Sequence, residues 1–215
     1  MRIGVLGTGG MAEALAAHWV RAGHRVTVGG RDAGRARRLA ERTGAAADGL
    51  RGAAAGAEAV LVALPFGAGA EVVGGLRAEL AGTVLIDCSN PVGPGFRLLT
   101  EGGGSAARLL AGAAPEARVV KAFNLCHRDV WRMRPPVFDG RPLAVPLCGD
   151  DGAVALVAGL VRDTGCEPLP AGGLERAGLL EATAALFIGL WIGEGADVQA
   201  IAPPAAYAAG PPARS

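Results

Sequence analysis

Short apolar runs alternate with amphipathic ones along the chain. Arg2-Ile3-Gly4-Val5-Leu6 reads as a strand, residues 14–22 as the body of an amphipathic helix, and Arg25–Gly29 as a second strand. Residues 33–42 have helical spacing. Further strand-like runs fall at 59–64, 83–88, 118–123 and 143–148, with a weaker one at 167–169. Strands separated by helices in this way predict an α/β fold of the Rossmann type, a doubly wound and mainly parallel sheet. At residues 174–191 the pattern changes: Leu179, Leu180, Leu186, Phe187, Leu190 and Trp191 crowd one helix that ends before Gly193. A helix apolar around most of its circumference has to be covered. A second subunit is the expected cover, with packing inside the monomer as the alternative. The chain thereby divides into a sheet domain, residues 1–172, and a C-terminal helix and tail, residues 173–215. Beyond Gly195, the pairs Pro203-Pro204 and Pro211-Pro212 read as an extended tail.

The first strand runs straight into Gly7-Thr8-Gly9-Gly10-Met11-Ala12 and then a helix. The order is mechanical. Gly7 permits a tight turn, Gly9 lets the backbone approach a pyrophosphate, and Ala12 is small enough for close helix–strand packing. Free N–H groups and the positive end of the helix dipole favour an anion there without a charged side chain. At the end of the second strand an acidic residue would bond a ribose 2′-hydroxyl and a basic one a 2′-phosphate. Gly30 leaves room for a phosphate, Arg31 can hold it through two parallel charge-assisted hydrogen bonds, and Arg35 is near enough to join. Asp32 is the rival as a ribose ligand for NAD, but it reads better as the N-cap of the next helix. NADP(H) is therefore the expected cofactor.

Composition narrows the partners. With a net charge of +1, one Tyr, three Trp and five Phe, the chain offers neither a basic stripe nor a stacking platform, so no nucleic acid is expected. Cys88, Cys126, Cys148 and Cys166 form no C-x-x-C pair, and His18, His24 and His127 lack ligand spacing. Neither a metal site nor a disulfide framework is expected. The first strand opens the sequence, and no apolar run reads as long enough to span a bilayer. A cytoplasmic protein without a membrane partner follows as the expectation.

In doubly wound sheets ligands bind beyond the carboxyl ends of the strands. Leu64-Pro65-Phe66, Ser89-Asn90-Pro91-Val92 and Lys121-Ala122-Phe123-Asn124 occupy those positions. They bring a flat apolar surface, an aromatic ring and two amides to where a nicotinamide would lie. Each has a plainer reading: prolines that end strands, a core Phe123, asparagines that cap loops. His127 is the one candidate proton donor, against a solvated surface histidine. Cys126, without an activating base, reads as a small apolar filler. Residues 97–105 are glycine-rich and read either as a cover over the substrate side or as a surface connection.

Taken together, GTGGMA at 7–12, VGGR at 28–31, VVKAFN at 119–124, VPLCGDD at 145–151 and Leu180-Glu181 before an apolar helix with Trp191 are similar to a known set of enzymes. They resemble the coenzyme F420-dependent NADP oxidoreductases and the cytosolic oxidoreductase domain of the six-transmembrane metalloreductases. The resemblance implies that residues 8–12 hold the pyrophosphate and that Gly30 and Arg31 hold the 2′-phosphate. It also implies that Leu64, Pro65, Ala122, Phe123 and Asn124 flank the nicotinamide; Asn90 joins them by its place after a strand end. Hydride transfer between NADP(H) and coenzyme F420 is the implied activity, and the apolar C-terminal helix adds the expectation of a homodimer. Three positions depart from the family pattern: Gly30 replaces a serine, Gly178 replaces an arginine, and the loop at 91–96 lacks polar residues. An NADPH-dependent reductase of a small imine or carbonyl, and a non-catalytic NADPH-binding module, stand as alternatives.

Overall fold

The computed structural model describes residues 1–100, 102 and 104–198. In chain order the elements are β1 (Arg2–Leu6), α1 (Gly10–Arg21), β2 (Arg25–Gly29), α2 (Ala33–Thr43), β3 (Ala46–Asp48), α3 (Leu50–Ala54) and β4 (Ala59–Val62). They continue with α4 (Gly69–Gly74), α5 (Arg77–Leu80), β5 (Val84–Asp87), α6 (Ala106–Ala113), β6 (Arg118–Lys121) and α7 (Arg128–Trp131). The last are β7 (Val137–Phe138), β8 (Arg141–Pro142), β9 (Ala144–Gly149), α8 (Asp151–Arg162), β10 (Glu167–Pro170) and α9 (Ala177–Ile188). Eight strands form one sheet in the order β10-β9-β6-β5-β4-β1-β2-β3, and β7 and β8 make a separate small ladder. The fold is the expected Rossmann-type α/β sheet.

Alternation along the strands splits the core into two layers. Ile3, Val5, Val28, Leu61, Ile86 and Val120 face α1 and α8, with Trp19 buried among them. Leu6, Val60, Val62, Leu85 and Val119 face the opposite layer, which includes Leu80, Leu110 and Ala177. Side chains that alternate across a pleat require helices on both faces. Trp19 also ties α1 to α8, its Nε1 donating to the Leu160 carbonyl at 3.1 Å.

β9 departs from the parallel expectation by pairing antiparallel with β6, Val120 opposite Gly149. A parallel return needs a crossover, usually a helix. Here α7 is a single turn followed by the β7–β8 ladder, so β9 enters the sheet from the end where β6 leaves it. β3 was not predicted because Ala46–Asp48 is exposed throughout and has no apolar pattern.

A second correction concerns the C-terminal helix. Among the described residues, Leu174–Glu194 is one segment of 21 residues long and apolar enough, by length and composition, to cross a membrane. In this structure it lies on the sheet domain, with Glu181 and Ala184 buried, while Leu179 and Leu186 stay more than half exposed. The proline-rich tail beyond residue 198, with Glu101 and Gly103 of the glycine-rich stretch, lies outside the described residues.

Candidate active site

The first βα turn is built by close approach. Gly7 has φ of +129°, a region L side chains rarely adopt, and a Cβ there would collide with the Ala63 carbonyl oxygen. Its N–H donates to the Gly29 carbonyl at 2.8 Å, which locks the turn between β1 and β2. Gly9 caps α1 without any side-chain hydrogen bond, and a Cβ on it would meet nothing within 4 Å. The first backbone N–H groups of α1 have no intrahelical acceptor. An open cradle of free donors at a helix start fits a pyrophosphate.

At the end of β2 the rivalry between Asp32 and Arg31 has a geometric outcome. The Asp32 carboxylate accepts from the Arg35 backbone N–H at 3.0 Å and caps α2. That bond, more than any other influence, lowers its pKa. Arg31 and Arg35 line the cleft, and no ion pair engages either guanidinium among the described residues. Gly30 has a local reason as well: a Cβ there would press on the Thr8 methyl at 2.8 Å.

A single cavity of about 990 Å³ connects these parts with the far strand ends. Its wall takes in Gly7, Thr8, Gly9, Gly10, Met11, Gly30, Arg31 and Arg35 at one side, and Leu64, Pro65, Asn90, Phe123 and Asn124 at the other. The side chains of Ala12 and Ala122 are wholly buried and do not line the wall: the Ala12 methyl serves helix packing while its N–H is among the free donors at the start of α1, and the Ala122 N–H is spent on the Asp87 carbonyl at 3.0 Å. The ring of Phe123 is also core. It is 1% exposed and sits edge-on between Trp19 and Trp131, with centroids at 6.1 and 5.3 Å. Its φ of +62° turns the chain sharply as it leaves β6.

Asn90 and Asn124 interlock. Asn90 Nδ2 donates to the Asn124 carbonyl at 2.7 Å, while Asn124 Nδ2 donates to Asn90 Oδ1 and to the Leu180 carbonyl, both at 3.0 Å. The Leu180 carbonyl can only accept, which fixes the amide orientation. Asn124 Oδ1 is then left buried with no partner among the described residues. Buried acceptors are normally satisfied, so an orphan in a cleft residue suits a ligand's donor.

His127 reaches the wall of the cavity but is exposed, its Nδ1 lying 3.2 Å from Asp129 Oδ2 while it caps α7. Burial pushes the Cys88 thiol up to about 12 and the Cys126 thiol to about 11. Both remain protonated near neutrality.

Three features escaped the sequence. Arg128 lies across Gly10 in the cavity wall. A wholly buried charge cluster joins Lys121, Asp87 and Glu181 beneath the site. Ile188 and Ile192 join Trp191 as the third wall. That wall rests on the loop at 91–99, where Phe96, with φ of +57°, packs on Gly189 and Gly193. The loop is held by a Val92–Leu98 bridge, so residues 91–99 are a shaped support for the wall. The rule that ligands sit past the strand ends pointed to the Arg128 region, but nothing local marked the residue.

The fold and this cleft define an oxidoreductase of the dinucleotide-dependent class. Residues 2–91 match the family described as NADP oxidoreductase, coenzyme F420-dependent. The metalloreductase STEAP3 of Rattus norvegicus is 31% identical over 195 residues, an alignment spanning 88% of this chain and 38% of that protein. The chain thus spans well under half the length of that relative. Among solved structures, a candidate F420-dependent NADP-reductase from Arthrobacter sp. FB24 superposes with a TM-score of 0.80 at 26% identity, covering 90% of this chain and 94% of that one. An imine reductase of Streptomyces aurantiacus gives 0.67 at 22% identity, covering 89% and 62%, a likeness of fold alone. The cofactor is NADP(H).

Proposed function

We propose that this chain catalyses hydride transfer between NADP(H) and coenzyme F420. The observation that carries the proposal is the continuous cleft, whose volume lies at the upper end of the roughly 300–1,000 Å³ usual for ligand sites. Its basic end suits the 2′-phosphate and its apolar end suits a flat ring system. The near end-to-end likeness to the Arthrobacter protein supports the choice of F420.

When bound, NADP(H) supplies or accepts a hydride at C4 of its nicotinamide. The protein's part is position. The N–H groups of α1 hold the pyrophosphate, Arg31 with Arg35 holds the 2′-phosphate, and Asn124 Oδ1 accepts from the nicotinamide side. Leu64, Pro65, Cys88, Leu125, Cys126, Ile188, Trp191 and Ile192 form an acceptor-side wall without a carboxylate, amine or imidazole. Such a wall excludes water and fixes the distance between two stacked rings. The one imidazole of the cavity lining, His127, is exposed and faces Asp129, so these wall residues themselves provide no general acid, which suits an acceptor whose conjugated ring spreads the incoming charge and takes its proton from solvent. In this proposal residues 1–172 form the NADP-binding domain, residues 173–215 complete the wall, and a second copy covers the exposed face of α9.

One observation favours a second reading. The loop at 91–99 that supports the wall carries few polar groups, and an already protonated imine also needs no enzyme acid. Purified protein mixed with NADPH and either F420 or a panel of cyclic imines separates the two by absorbance. Consumption of NADPH with F420 alone supports the proposal. Consumption with an imine alone replaces it with the second reading, and consumption with neither leaves a binding module.

A further inference from the structure

We propose that Arg128 is a pyrophosphate-binding residue, closing on the glycine turn from the opposite half of the sheet. The proposal rests on the reading that the turn at 7–12 holds the diphosphate of NADP(H).

The first observation is the place of the side chain. Arg128 begins α7, which follows β6, yet its Cδ lies so close over Gly10 that a Cβ on that residue would collide with it, and Nε would be 3.2 Å away. The dinucleotide fingerprint accounts for Gly7, Gly9 and the small Ala12 and asks nothing of the position between Gly9 and Met11. The arginine stem crosses Gly10 directly, and a side chain at that position would have to push it aside.

The second observation is the state of the charge. Arg128 lines the same cavity as Gly7, Thr8, Gly9, Gly10 and Met11, and no ion pair or hydrogen bond engages it among the described residues. The nearest carboxylate in sequence, Asp129, is committed to Arg132 at 2.7 Å and to His127 at 3.2 Å. An unpaired guanidinium beside free N–H donors makes a fork suited to phosphate oxygens.

The third is rigidity. α7 is pinned to α1 by His18, whose Nε2 donates to the Trp131 carbonyl at 2.9 Å. Trp131 Nε1 also donates to the Cys126 carbonyl at 3.1 Å. Arg128 thus projects from a fixed base and needs only its own side chain to move onto the diphosphate.

The test is titration calorimetry of the full chain with NADPH and with adenosine 2′-monophosphate, which lacks the diphosphate. Arg128→Met keeps the stem over Gly10 and removes the charge. It should raise the NADPH Kd by about tenfold, as expected for a lost charge-assisted hydrogen bond, and flatten its salt dependence. Arg128→Lys should recover part of the loss, and the adenosine 2′-monophosphate Kd should not move. Arg31→Ala should weaken both ligands. If Arg128→Met binds NADPH within twofold of the unaltered protein while Arg31→Ala fails on both ligands, the clamp is wrong and the site reading stands. If the unaltered protein binds neither ligand, both are overturned.

Discussion

Glu181 Oε1 lies 2.7 Å from the Nζ of Lys121, in a contact wholly closed to solvent between α9 and the end of β6. Lys121 also reaches Asp87 Oδ2 at 2.8 Å, and Glu181 accepts from the Ala106 N–H at the start of α6 at 3.0 Å. Two carboxylates and one ammonium are thereby gathered under the cleft, and the C-terminal helix that forms its third wall is tied to two strands and a helix.

Removing the central cation should be severe. Lys121→Met leaves two buried carboxylates facing each other without compensation, and breaking a buried pair in this way costs about 3–5 kcal/mol. Chemical denaturation of the two proteins measures it. A loss below about 1 kcal/mol would mean that water reaches the cluster.

The same cluster sets a pH dependence. Burial draws the Lys121 ammonium toward neutrality, but Asp87 and Glu181 outweigh that pull and leave its pKa above the ordinary lysine value. A group whose pKa is higher folded than unfolded stabilises fully below its unfolded value, about 10.4, and loses the contribution as pH rises through the folded one. The expected Tm profile carries a component that falls only above about pH 10.5, and Lys121→Met should lack it. Identical alkaline limbs in the two proteins would contradict the assignment.

Gly7 and Gly9 should separate folding from binding. Gly7→Ala forces a side chain into the Ala63 carbonyl at a positive φ, so both Tm and NADPH binding should fall. Gly9→Ala places its methyl in open space and should cost only about 0.5–1 kcal/mol of stability, the margin by which Gly outranks Ala at an N-cap. It should nonetheless weaken NADPH, because the methyl stands where the diphosphate approaches. Thermal unfolding and NADPH titration of both variants give the comparison, and unimpaired binding by Gly9→Ala would move the diphosphate elsewhere.

How much of this was legible in the sequence depended on range. The glycine turn, the Asp32 cap and the apolar strands are written within a few neighbouring residues, and β1, α1, β2 and α2 all lie where the local pattern predicts. What escaped depends on distant partners. The reversal of β9 follows from a connection without a full helix, Phe123 is core because two tryptophans from α1 and α7 close on it, and Glu181 is buried because Lys121 waits sixty residues away. Arg128 had no local signal at all, since its neighbour Gly10 is more than a hundred positions earlier.

The most direct test of the central claim compares NADPH and NADH affinity by calorimetry in the unaltered protein and in Arg31→Ala. The expected result is a clear preference for NADPH that shrinks by about tenfold or more in the variant, about 1.4 kcal/mol of 2′-phosphate recognition. A preference unchanged by Arg31→Ala, or none to begin with, would contradict the assignment of the basic end of the cleft to the 2′-phosphate.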